Sequence, residues 1–168
     1  LQAAGRRRTG ESGIALWRPG EQTMQMNAYL SFKGQCEEAF KFYEQCFGGQ
    51  VGTIFRYAGT PMADQVPVVW QNKVMHSTLT VDGQVLMGGD VAPDRYEEPK
   101  GFSLALHINS APEAERIFDA LAEDGRVLVP LEKTFWAARF GMVVDRFGIP
   151  WTINGGEPDR PLEGSPSL

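Results

Sequence analysis

The chain has 168 residues, 42% of them hydrophobic and 22% charged, with 16 Lys and Arg against 21 Asp and Glu and a net charge of −5. That composition describes one globular domain, or two small halves sharing a core, and excludes disordered, collagen-like and coiled-coil chains. The acidic balance is opposite in sign to that of a general nucleic-acid binder. The longest run free of Asp, Glu, Lys and Arg, Gly101 to Pro112, has 12 residues, short of the roughly 18–20 that a membrane-spanning helix needs.

Residues 1–23 read as a leader outside the folded unit. The Arg6–Arg7–Arg8 run is followed by only a short apolar patch, Ile14–Ala15–Leu16–Trp17, less than the apolar core of a signal peptide. Met24 or Met26 is the expected natural start, 24–157 the folded domain, and 158–168, rich in Pro, Gly and Ser, a flexible tail.

Within the domain, Asn27 to Lys33 alternates polar and apolar as a strand does. Cys36, Ala39, Phe40, Tyr43, Cys46 and Phe47 recur at helical spacing, and Gly48–Gly49 supplies the stop. The stretch from Gln50 to Ala58 is rich in strand formers. A loop with Pro61 and Pro67 precedes a strand from Val74 to Val81, a two-residue Asp82–Gly83 turn and a returning strand from Gln84 to Met87. The same order then recurs: a strand from Phe102 to Ile108, a helix opened by the capping box Ser110-Ala-Pro-Glu113 and closed by Gly125, and strands at 126–131, 138–144 and 149–154. Starts at 27 and 102, 36 and 111, and 50 and 126 differ by 75, 75 and 76; the offset then falls to about 64 because the first half carries the longer loop. The chain is therefore an α+β duplication of two βαβββ modules, 26–92 and 100–156, expected to form an open curved mixed sheet of eight strands with a cleft between the halves.

Cys36 and Cys46 fall on one helix ten residues apart, about 15 Å of rise, too far for a disulfide. Reduced thiols fit a cytoplasmic protein. Cys36 stands near the helix start, where the dipole lowers a thiol pKa, yet no partner His is visible near it in sequence.

The words Tyr29-Leu-Ser-Phe-Lys-Gly-Gln-Cys-Glu-Glu-Ala-Phe-Lys-Phe-Tyr43, Phe47-Gly-Gly49, Val74-Met-His76, Val85-Leu-Met87 with Asp90, Thr134-Phe-Trp-Ala-Ala-Arg-Phe-Gly141 and Asp145-Arg-Phe-Gly148, set in the duplicated module, resemble the vicinal-oxygen-chelate superfamily of glyoxalase I, bleomycin-resistance proteins and extradiol dioxygenases. Within it they are similar to the PhnB-like branch, over about 26–156. Some members of that branch carry a methyltransferase label tied to ubiquinone synthesis, but the chain has no glycine-rich strand-to-helix loop suited to S-adenosylmethionine. The resemblance implies the half-barrel glyoxalase/bleomycin-resistance/dioxygenase fold and a homodimer. It also implies a ligand cleft, which metal-dependent relatives line with His or Glu from the first and last strands of each half. The matching positions here are Asn27, Met87, Ser103 and Thr152, none a strong ligand for Zn²⁺ or Ni²⁺. No cofactor is expected, and a divalent metal only through a non-standard set built from His76, His107, Asp90 and a glutamate.

Five residues are candidates for the site. His76, in a strand, is a cavity-lining general base or donor, or a hydrogen-bonded core histidine. Trp136 and Arg139 suit a planar or anionic ligand through stacking and bidentate contacts; alternatively Trp136 packs across the sheet and Arg139 pairs with Asp145 or Glu132. Asp90 ends the Gly88-Gly89-Asp90 strand terminus, where the glycines allow close approach or simply turn the chain. Tyr57 is a further pocket candidate. Phe40, Phe42, Tyr43 and Phe47 read as helix core. Three functions compete: a metal-free small-molecule-binding protein; a metal-dependent lyase, isomerase or dioxygenase; and a structural or regulatory dimer without a small ligand. Neither nucleic acid nor membrane is an expected partner.

Overall fold

The computed structural model describes residues 25–156; the expected leader and tail lie outside the described residues. The elements run β1 (Ala28–Phe32), α1 (Cys36–Phe47), β2 (Gln50–Val51), β3 (Phe55–Arg56), β4 (Val74–Val81), β5 (Gln84–Asp90), β6 (Leu104–Ile108), α2 (Ala111–Ala122), β7 (Arg126–Glu132), β8 (Arg139–Val144) and β9 (Pro150–Gly155). The first sheet is ordered β1-β5-β4-β2, with β3 also on β4; the second is ordered β6-β9-β8-β7. In each, the first strand lies parallel to the last (β1 on β5, β6 on β9) and the other pairings are antiparallel. The duplication is thus present at the level of hydrogen bonding.

Two details differ from expectation. The strand expected over 50–58 is split into two short pieces: Gly52, where an added Cβ would collide with the Thr78 hydroxyl, still bonds the Thr78 carbonyl through its amide at 2.8 Å, and the pairing register shifts at Phe55/Arg56. The nine resulting strands form two sheets rather than one continuous eight-stranded sheet; among the described residues no strand pairs from one sheet to the other.

Local signals account for the helix ends. Gly48 takes φ 74° and its amide bonds the Glu44 carbonyl at 3.0 Å, closing α1. Ser110 caps α2 by accepting from the Glu113 amide, a contact worth about 1 kcal/mol. The reciprocal half of the expected capping box is not made, because the Glu113 carboxylate instead grips Arg116 at 2.6 and 2.9 Å. Asp82 and Gly83 both take positive φ, 46° and 79°, the turn that joins two twisted antiparallel strands tightly.

The core lies between the sheets. Leu30 and Phe32 on β1, Leu79 on β4 and Phe40 and Tyr43 on α1 are buried in one cluster with Val143, Trp151 and Ile153 of the second module and Leu121 of α2. Each fully buried Leu, Ile or Phe contributes about 1.5–3 kcal/mol. Tyr43 and Phe47 of α1 place their rings edge-on to Trp151 of β9, both at 5.2 Å between centroids. At the centre of this junction Asp145 is buried and accepts four hydrogen bonds: from the Tyr43 hydroxyl (2.5 Å), Trp151 Nε1 (2.8 Å) and the amides of Phe147 (2.9 Å) and Ile149 (3.0 Å). Arg116 of α2 adds a bond to the Cys46 carbonyl at 2.6 Å. A cleft of about 480 Å³ sits at the same junction, walled by Leu79 and Leu86 of one sheet and Leu104, Leu106 and Trp151 of the other. The helix-side faces of the two sheets therefore turn toward each other, and the opposite faces stay open.

Candidate functional site

Register decides which side chains occupy the open faces. On the first sheet Leu86 and Gly88 of β5 pair with Leu79 and Ser77 of β4 on the helix side, so Tyr29, Met87, Thr78 and Val85 alternate to the open side. His76 joins them, with its ring 5.8 Å from that of Tyr29 and 6.4 Å from that of Phe55, nearly parallel to both. Tyr29 and Phe55 are 52% and 50% exposed, so this row of three rings meets solvent. Tyr29 reaches His76 by lying over Gly89 and donating to the Met75 carbonyl at 3.3 Å; a Cβ on Gly89 would stand 2.5 Å from that carbonyl oxygen and 2.9 Å from the Tyr29 hydroxyl. The second glycine of Gly88-Gly89 is thus required by the aromatic row.

On the second sheet His107, Asn154 and Phe140 are cross-strand neighbours in one row over β6, β9 and β8. Asn154 Nδ2 approaches His107 Nδ1 at 3.3 Å, and Ser103 and Thr152 share a hydroxyl–hydroxyl bond of 2.7 Å. Trp136 stands edge-on to Phe140 at 5.3 Å and to Phe135 at 4.5 Å. Its indole is 39% exposed and the Phe135 ring 72%.

Of the five candidates, His76 and Trp136 lie on open faces of different sheets. Arg139 does not: it pairs with Gly155 on the helix side of β8, and its Nε donates to Glu115 of α2 at 2.6 Å. The alternative partners Asp145 and Glu132 are not used, the first because its oxygens are already filled by four donors. Asp90 is also on the helix side. It is buried, and its two oxygens accept from the amides of Cys36 (2.9 Å) and Val74 (2.9 Å), which anchors the start of α1. Burial raises its pKa while those amides pull the other way. The Tyr57 hydroxyl donates to the Asp90 carbonyl at 2.8 Å. Cys36 is buried, and burial, then the Asp90 charge, push its pKa up, against the helix-start expectation. Sequence reasoning passed over Tyr29, Phe55 and Phe140; Tyr29 and His76 meet only through the β1-β5-β4 pairing, which no local signal reveals.

The donors at the family's metal positions do not fit a divalent ion. Met87 offers a thioether, and Ser103 and Thr152 satisfy each other. His76, His107 and Asp90 belong to different faces or different sheets, so the non-standard set does not assemble either. Among the described residues no three His, Cys, Asp or Glu side chains gather where they could hold a metal.

The paired βαβββ modules with open mixed sheets define a glyoxalase/bleomycin-resistance fold. A protein of that family from Burkholderia phytofirmans superposes with a TM-score of 0.53 at 12% identity, over 77% of this chain and 95% of that one. Residues 24–154 match the family described as 3-demethylubiquinone-9 3-methyltransferase, and the chain belongs to that family, the PhnB-like branch. Protein PA1353 from Pseudomonas aeruginosa is 44% identical with a TM-score of 0.72, covering 80% of this chain and 98% of that one. Protein YjdN of Escherichia coli is 32% identical over 139 residues, 78% of this chain and 95% of its own length. The methyl donor that the family description implies finds no cradle in the two strand-to-helix turns. The first holds a single glycine, Gly34, and the leading amide of its helix is bonded by Asp90; the second has none, and Ser110 caps its helix. No helix among the described residues is long and apolar enough to cross a membrane.

Proposed function

We propose that the protein is a small-molecule-binding member of its superfamily, without a resident metal or other cofactor, and that the ligand lies on the open sheet faces. One observation carries this reading: both faces hold exposed aromatic rings, Tyr29 and Phe55 beside His76 on one and Trp136 with Phe135 on the other. A solvated sheet face ordinarily carries polar and charged residues. The two faces turn away from each other within one chain, so a closed site needs a second copy, and the working form in this reading is a homodimer. Two free, buried cysteines support a cytoplasmic setting, and the net acidic charge supports a partner other than nucleic acid.

Thermal-shift and fluorescence screening against small aromatic compounds, with sedimentation to fix the oligomeric state, tests the proposal. Binding should weaken at least tenfold in Trp136→Ala and in His76→Ala. Titration with Zn²⁺, Ni²⁺, Mn²⁺ and Fe²⁺ is the counter-test: tight stoichiometric uptake abolished by His76→Ala replaces the binding reading with the metal-dependent enzyme. A monomer that binds none of the compounds overturns the reading altogether.

A further inference from the structure

We infer that the protein carries a second binding site, for a small oxyanion of two or more charges such as a phosphate ester or a polycarboxylate, in a cavity of about 730 Å³ where both modules meet the connector. Four segments wall it: the turn from β1 to α1, the connector at 96–100, the turn from α2 to β7 and the turn from β8 to β9. It shares no residue with the aromatic rows of the open faces, so it stands or falls apart from the reading above. Two glycines bring the walls together. A Cβ on Gly125 would stand 2.6 Å from the Val144 carbonyl oxygen and 2.7 Å from that of Leu121, so only glycine lets the chain leave α2 this close to β8. Arg126, the next residue, is thereby set opposite Val144, two residues before Arg146. Gly148 takes φ 87° in the β8–β9 turn, and the Tyr96 hydroxyl lies 3.5 Å from where its Cβ would be.

The charges that meet here are uneven. Elsewhere Lys41, Arg56, Arg116 and Arg139 are each bound to a carboxylate. Lys100, Arg126 and Arg146, all at this cavity, form no ion pair among the described residues. The Arg146 guanidinium lies over the Phe42 and Phe147 rings, 4.3 and 5.0 Å from their centroids, which holds the group in place and leaves its N–H donors unused. Lys33, the fourth cation, rests 4.6 Å from the Tyr96 centroid and reaches Glu98 at 4.0 Å. The acids of the wall are that Glu98, Asp124, and Asp145, whose carboxylate is filled by four donors. Glu97 lines the neighbouring cavity beside Tyr29 and not this one. Three unpaired cations thus face one unpaired acid, Asp124, in a chain whose net charge is −5. Two guanidinium groups suit oxyanions, which they grip through paired N–H donors, and an ion of at least two charges is needed to balance the excess. Burial, then the Glu98 charge, raise the Tyr96 pKa, so its hydroxyl stays protonated and adds a donor. The volume exceeds that of a bare inorganic ion and leaves room for an organic part against Tyr96 and Pro99.

The test is calorimetric titration of the full chain in low-salt buffer with pyrophosphate, with citrate and with the cation putrescine, each against sodium chloride of equal ionic strength, and ¹H–¹⁵N NMR to place the probe. The expected result is that an anion binds one per chain, shifts the amides of Gly125 and Gly148 but not that of Gly89, and weakens as salt is raised, while putrescine does not bind there. A preference for pyrophosphate identifies a phosphoryl ligand and a preference for citrate a carboxylate; either supports the site. Lys100→Gln and Arg126→Gln change exposed side chains and should each weaken the better anion by roughly threefold. Lys41→Gln, outside the cavity, should leave it unchanged. Asp124→Asn removes the unpaired acid and should tighten binding by roughly twofold, the opposite sign from the cation variants. Neither anion binding above the chloride background, shifts confined to Gly89, Lys41→Gln weakening the anion as much as Arg126→Gln, or Asp124→Asn failing to tighten it overturns the inference, and each leaves the open-face reading standing.

Discussion

Replacing Asp145 by Asn is the most demanding test of how the two modules are joined. Each carboxylate oxygen accepts two donors, Tyr43 and Trp151 on one and the Phe147 and Ile149 amides on the other. An asparagine has one oxygen and one NH₂, so whichever way it turns, two donors meet a donor. Hydrogen bonds to a charged group contribute about 1.5–3 kcal/mol each, so the loss is about 3–6 kcal/mol. Removing a buried charge offsets part of it, leaving roughly 3 kcal/mol. For a domain of this size that lowers Tm by about 10–15 °C. Urea unfolding followed by tryptophan fluorescence measures it directly. Tyr43→Phe, which deletes one donor, should cost about 1–2 kcal/mol, and the double variant should fall short of the sum by more than about 1 kcal/mol because the two groups share a bond. An Asp145→Asn protein within about 0.5 kcal/mol of the parent, or strict additivity with Tyr43→Phe, would refute the clasp.

Other expectations follow from single contacts. Gly89→Ala places a methyl group against the Met75 carbonyl and the Tyr29 hydroxyl, so it should destabilise the fold by about 1–3 kcal/mol and disturb the Tyr29 ring resonances more than those of Trp136. Burial pushes the Cys46 thiol up to about 11 and the Cys36 thiol higher still; a disulfide reagent at pH 8 should titrate neither in the native protein and both in denaturant, and rapid native labelling of Cys36 would contradict its burial. Glu37 is held below the usual carboxylate range by hydrogen bonds from Lys41 and then Arg56. Its stabilising contribution is therefore present above the ordinary carboxylate value and lost as the pH falls through the lower native one. Glu37→Gln should flatten acid unfolding in that window, and an unchanged profile would show the network to be idle.

How much of this was legible in the sequence depends on the kind of signal. Alternation, helical spacing and the Gly48 and Ser110 punctuation are local, and they located both helices and eight strands, one of which the structure splits in two. Partner choice was not readable. Arg139 takes Glu115 because β8 packs under α2, a relation set by tertiary geometry. Asp90 becomes the anchor of α1 because β5 runs on through Gly88 and Gly89 beyond the expected end at Met87. The break at Gly52 was hidden too, since it depends on how closely β4 passes.

The Asp145 clasp has a consequence for the history of the chain. Tyr43 belongs to the first copy of the module while Asp145 and Trp151 belong to the second, so neither half can fill its own interior. Chain cut in the connector at 91–101 should yield two pieces that are soluble only when mixed, and an ancestral single-module peptide could have met the same need only by embracing its twin.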